Sequence, residues 1–170
     1  MDNYTEQIIN KKPDAKQRLM LVIAIMVTGL GVTAMLFFNM GIGAIVTAAG
    51  GFFIYYAKTQ QSQEYEYVFI NSDCDIARIS NKQNRKEIFS IKGGDVQKVI
   101  LYNSQQFDNE QQAHSNLVIK DFTSGDKTRE EDWYVFIINN GGKTLAVGLE
   151  LNEKTKAYVE NVYKNKVNIS

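Results

Sequence analysis

The sequence holds one cysteine, one histidine and no net excess of charge over its 170 residues. A lone Cys74 cannot close an internal disulfide, which agrees with a reducing compartment. One Cys and one His are too few for a zinc site, and no metal or cofactor is expected. From Lys58 to the end, 15 Lys/Arg stand against 16 Asp/Glu. Duplex nucleic acid requires a basic face, so nucleic acid is excluded as a partner. Ionisable residues are also missing from two long apolar runs. Charge inside such runs marks ion and proton paths, so transport by these segments alone is not expected.

Those two runs are what the sequence has most plainly. Residues 19–38 read LMLVIAIMVTGLGVTAMLFF, 20 positions without a charge, enough to cross a hydrocarbon core of about 30 Å as a helix. Residues 40–57, MGIGAIVTAAGGFFIYYA, follow a break at Asn39 and would span roughly 27 Å. Tyr55 and Tyr56 suit the interface. A cleaved signal peptide is the competing account, but the first run is too long for one and a second run follows it. Lys11, Lys12, Lys16 and Arg18 precede the first run, no basic residue separates the two, and Lys58 follows the second. Positive charge stays inside, so both termini are expected in the cytoplasm, with the membrane crossed twice. Gly43, Thr47 and Gly51 recur every four residues, as do Gly29 and Thr33. Small faces let helices approach closely, within this hairpin or in a homo-oligomer. The expected order is a segment 1–18, a helical hairpin 19–57, a linker 58–63 and a domain 64–170.

That domain reads as short strands between turns. Tyr65, Tyr67 and Phe69 alternate with Glu64 and Glu66, the period of a half-buried strand. Turn clusters at 71–73, 81–84 and 92–95 separate further β-prone runs. Residues 132–138 are apolar on both faces and so central. Asn139-Asn140-Gly141-Gly142 is a hairpin turn needing positive φ. In the last segment Thr155, Tyr158, Val159, Val162 and Tyr163 fall on one helical face behind Asn152 as N-cap, predicting a helix over 152–165. The fold class is α+β, mostly β: seven strands, then a helix.

Seven strands followed by a helix resemble a pleckstrin-homology-like barrel, or a sandwich of the same order. The stretch EYEYVFINSDCDIARISNKQNRKEIFSI, residues 64–91, is similar to bacterial domains of that type. The layout, from MDNYTEQI through the hairpin to EYEY, resembles a family of uncharacterised two-helix membrane proteins of Gram-positive bacteria. The resemblance implies the bacterial cell membrane as location and brings no catalytic residues, since fold does not fix function.

Candidate chemistry is sparse. Gly142-Lys143-Thr144 ends like a phosphate loop, but Ile137 stands where the pattern needs Gly and a strand follows. Asn71, Asp73 and Asp75 begin like a cation loop without its later Glu, and a hairpin turn accounts for them better. Cys74 and His114 are the sole nucleophile–base candidates, and nothing in the sequence brings them together. Lys82, Arg85 and Lys86 cluster on one hairpin, where beside a membrane they would meet anionic headgroups; an ordinary charged turn is the plainer account. Residues 103–115 form a long polar stretch carrying Phe107, either a partner-binding loop or a disordered one. The expected function is a non-catalytic module held at the inner membrane face, contacting membrane lipid or a protein partner. The alternatives are an accessory subunit recruited through the hairpin, and an enzyme using Cys74.

Overall fold

Thr5, Gln7 and Ile9 point inward and Tyr4, Glu6, Ile8 and Asn10 outward, and in the computed structural model of the chain they form a strand, β1 (Tyr4–Asn10). The structure describes residues 3–114 and 116–168. β1 pairs antiparallel with β2 (Gln63–Ile70), from Tyr4 opposite Ile70 to Asn10 opposite Glu64. Along the chain, the helical hairpin is therefore inserted between two strands that pair with each other. This corrects the reading of residues 1–18 as a plain segment preceding the hairpin. Two inward positions of β1 are polar, which hides its alternation in the sequence.

The chain divides into two compact units. The first comprises Lys11–Gln63 with the turn Ser80–Asn84; the second comprises β1, Glu64–Ile79 and the chain from Arg85 on. In the helical unit, α1 (Ala15–Phe37) and α2 (Met40–Gln61) are both long and apolar enough to cross a membrane, with mean hydropathy of 2.4 and 1.5. Gln17 Oε1 accepts from the Asp14 N–H at 3.0 Å, closing the start of α1. Asn39 Oδ1 accepts from the Gly41 and Ile42 N–H groups and caps α2, satisfying donors that every helix start leaves open. α2 runs on to Gln61, so most of the expected linker 58–63 is helical. Its polar last turn is held across the hairpin: Gln17 Nε2 donates to Gln60 O and Gln61 Nε2 to Gln17 O, both at 3.1 Å.

The seam between α1 and α2 is built on Gly31, Gly43 and Gly50. A Cβ on Gly31 would lie 2.6 Å from the Thr47 backbone nitrogen; one on Gly43 would strike Met35, and one on Gly50 would strike Thr28. The Thr28 and Thr47 hydroxyls turn back to Ala24 O and Gly43 O at 2.8 Å. Gly43 and Thr47 thus belong to the seam. Gly29 and Gly51 meet nothing within 4 Å, and Thr33 is exposed, so these three face away from the partner helix.

The second unit holds two sheets. One has the order β1-β2-β3-β4, adding β3 (Asp73–Ser80) and β4 (Asn84–Ile91). The other has the order β6-β8-β7-β5-β9, built from β5 (Val96–Leu101), β6 (Val118–Asp121), β7 (Trp133–Asn140), β8 (Lys143–Glu150) and β9 (Val167–Asn168). β7 lies in the middle, antiparallel to β5 and β8, while β6 runs parallel to β8 and β9 parallel to β5. The β7–β8 turn places Gly141 and Gly142 at φ of 60° and 81°, which glycine adopts without strain.

The described residues thus form nine strands in two open sheets instead of a seven-stranded closed barrel. β1 and β9 are the additions. The main core packs Tyr67, Phe69, Cys74, Ile76, Phe136 and Leu149 with Val159 of α4 (Glu153–Val162) and with Tyr163 just after it. α4 stops at Val162, short of 165, and the chain turns through Tyr163–Lys166 into β9. A smaller core of Ile100, Phe107, Val135, Ile137 and Ala146 lies on the other face of the five-stranded sheet. It includes α3 (Gln105–Ala113), which occupies most of the stretch read as a long loop.

Gly50→Leu is expected to force α1 and α2 apart, costing about 1–3 kcal/mol as overpacking. Gly51→Leu, one residue on, should leave stability unchanged. Thermal unfolding of the detergent-solubilised chain checks the pair.

Candidate functional site

Burial decides first which candidates remain reactive. Cys74 is 0% exposed in the main core, and burial pushes its thiol well above the ordinary range, away from the thiolate that nucleophilic chemistry needs. His114 ends α3 and donates its backbone N–H to Glu110 O. α3 packs through Phe107 on the face carrying Val135 and Ile137, opposite the face of Tyr134 and Phe136. The five-stranded sheet separates His114 from Cys74, so the structure brings no nucleophile–base pair together here.

The two β3 aspartates are spent on neighbouring backbone and side chains. Asp73 accepts from the Gly93 N–H at 2.9 Å and from Lys92 Nζ at 3.1 Å, and these bonds hold its carboxyl below the usual range, the Gly93 amide most of all. Asp75 accepts from Ser90 Oγ at 2.6 Å. They brace β3 against β4 and the turn that follows it. Among the described residues no three His, Cys, Asp or Glu side chains group as metal ligands. Gly142 ends the β7–β8 turn and Lys143 and Thr144 begin β8, beside a cleft of about 580 Å³ that also touches His114 and Leu117. No helix begins there to present amides to a phosphate.

Phe107, a candidate partner contact, is 3% exposed and stacks 5.3 Å from the Tyr102 ring. It is a core residue anchoring α3, because Ser104 accepts its N–H and starts the helix over the sheet. The basic hairpin also divides. Arg85 Nε is paired with Glu66, while Lys86 is exposed. Asn81 and Lys82 sit at positive φ, 54° and 58°, and the Asn81 N–H donates to Ser62 O at 3.0 Å. That bond fixes Lys82 beside the end of α2, within the helical unit.

Two features escaped the sequence in whole or in part. The first is a buried polar cluster. Glu150 is 0% exposed; its Oε2 accepts from the Ser124 N–H at 3.1 Å, and Arg129 Nη1 stands 2.9 Å from its Oε1. Gln7 Nε2 donates to Glu150 O at 2.8 Å and Gln7 Oε1 accepts from the Asn152 N–H at 3.0 Å. The Tyr67 hydroxyl, pushed well up by burial, donates to Phe122 O at 2.6 Å. Glu150 closes an apolar strand and reads there as its solvated end; its partner lies 21 positions away in a charged loop. The second is that Lys82 joins the cations already read at the hairpin's outer ends, so that the helical unit carries Lys11, Lys12, Lys16, Arg18, Lys58 and Lys82 against Asp14 alone. The Gln17, Gln60, Gln61 and Ser62 contacts place these near one end of the hairpin. The other end, Phe37 to Met40, carries no charge.

Arg129→Ala would leave the Glu150 carboxylate buried without its partner. A loss of about 2–3 kcal/mol is expected, below the value for two buried ions because Arg129 is half exposed. Urea unfolding measures it. Cys74 should resist maleimide at pH 8 in the folded chain and react fully in denaturant, as followed by mass; ready labelling of the folded chain would revive it as a nucleophile.

The family described as Bacterial PH-like domain (DUF6106) matches residues 1–169 of the chain. Comparison with curated proteins and with solved structures gave no match.

Proposed function

The chain belongs to this family of bacterial PH-like domains, and from that premise we propose that it is a membrane-anchored, non-catalytic binding module at the inner face of the bacterial cell membrane. PH-like domains are binding folds in general. The observation that carries the membrane half is the insertion of two apolar helices between β1 and β2. The Lys11 N–H donates to Gln63 O at 2.9 Å, so the chain leaves and re-enters its sheet at one point. Both outer ends of the hairpin then share one side of the bilayer. The cations gathered at that end favour the cytoplasmic side.

The partner is a protein. What supports this is the outward face of β1 and β2, where Tyr4 stands opposite Ile70 and Glu6 opposite Val68. Tyr4, Ile8 and Ile70 are about half exposed, beside Glu6 and Glu64. An apolar strip bordered by carboxylates suits a basic, partly apolar segment. A second reading, an accessory subunit recruited through the hairpin, is favoured by Gly29, Thr33 and Gly51. These small residues lie outside the α1–α2 seam, where another helix can approach.

Topology is tested with single cysteines. Met40→Cys is expected to label from outside intact cells with an impermeant maleimide, and Lys12→Cys only after permeabilisation; the reverse pattern would refute the orientation. The two partner readings separate when an unrelated antiparallel helix pair is spliced between Asn10 and Glu64. A partner retained by that chimaera and lost with Tyr4→Lys plus Ile8→Lys supports the β module. A partner lost with the native hairpin supports the accessory subunit.

A further inference from the structure

We propose that the helical unit binds one anionic phospholipid, with an acyl chain in a groove along α1 and the phosphate on Lys16. This rests on the membrane reading above and adds a specific ligand to it. The groove has a volume of about 480 Å³ and is lined by Leu19, Met20, Ile23 and Val27 of α1 and by Phe53 of α2, with Lys16 at its end. Positions 16, 19, 20, 23 and 27 recur at helical spacing and share one face. Lys16 is the only charged group in the lining.

Length fits one leaflet. From Lys16 to Val27 the helix rises ~16 Å, about half of a 30 Å hydrocarbon core. The groove thus begins at a cation near the polar end of the hairpin and ends near the bilayer centre, the span of one acyl chain below its headgroup. Its walls are exposed side chains: Leu19 at 59%, Ile23 at 51% and Phe53 at 51%.

Charge selects the headgroup. Lys16 adjoins Gln17, whose side chain reaches Gln60 O. Lys58 lies one turn before Ser62, which holds the turn carrying Lys82. Arg18 is anchored through Nε to Pro13 O at 3.1 Å. Asp14 is the one carboxylate in the unit, and Lys11 Nζ already stands 3.5 Å from it. A zwitterionic lipid would bring its own cation into this excess of positive charge, whereas phosphatidylglycerol brings none. Basic residues beside a membrane attract anionic lipid for this reason.

The test reconstitutes the full chain in vesicles of one part phosphatidylglycerol to nine parts phosphatidylcholine, extracts it gently and counts phospholipid per chain by mass spectrometry. About one phosphatidylglycerol per chain is expected, enriched on the order of tenfold over its bulk share. Lys16→Gln should abolish the enrichment. Val27→Trp, filling the groove, should remove the retained lipid altogether. Lys120→Gln, in the other unit, should change nothing. Retention at the bulk ratio, or enrichment untouched by Lys16→Gln, overturns the site. Alkaline carbonate extraction of the same vesicles separates the two inferences. Release of the chain overturns the membrane reading and the site with it; a chain that stays embedded but holds lipid at the bulk ratio overturns the site alone.

Discussion

Everything in this chain depends on β1 finding β2 across the helical hairpin. Seven backbone positions, Tyr4 to Asn10, are matched to Ile70 through Glu64, and the ladder closes only if both outer helix ends return to one place. Closing a long flexible connection costs entropy that grows slowly with its length. Here the cost is met inside the insertion itself. Gly31, Gly43 and Gly50 bring the helices into contact, and the Gln17–Gln60–Gln61 bonds fasten their polar ends. A paired hairpin thus delivers Lys11 to Gln63, and the sheet continues from there.

The same strand explains why a polar cluster sits in the β unit. Gln7 faces inward, where an apolar residue would be the ordinary choice. Its amide instead joins Glu150 O to the Asn152 N–H, linking β1 to the end of β8 and the start of α4. A buried amide without partners is costly, and this one uses both its oxygen and its nitrogen. The arrangement favours one register for β1, since a shift by one residue would turn Gln7 outward and break both bonds.

The two apolar helices were legible because some 20 uncharged residues have few other uses, and a hydropathic run needs no knowledge of neighbours. β7 was legible for a similar reason: WYVFIINN is apolar on both faces, and only a central strand covered on both sides wants that. The PH-like character was legible in the aromatic alternation of residues 64–70 and in the order of strands and helix. β1 was not, since Thr5 and Gln7 disguise its inward face. α3 was not, since QQFDNEQQA offers a single apolar residue to the sheet, Phe107, and only the fold shows it buried. Of the small residues, Gly43 and Thr47 lie in the α1–α2 seam, while Gly29, Thr33 and Gly51 lie off it. Glycine and threonine occur on several faces of both helices, and spacing alone cannot say which face meets the partner.

An inserted hairpin also sets an order of events during synthesis. β1 leaves the ribosome first, and its partner follows only after both helices have been made, 54 positions from Asn10 to Glu64. At roughly 5–20 residues per second, that is a wait of several seconds. Through that interval β1 is a strand without its partner, Tyr4 and Ile8 included. Pairing of the two helices is therefore a folding step for the β unit as well, and a hairpin that fails to close would leave the first strand without its partner.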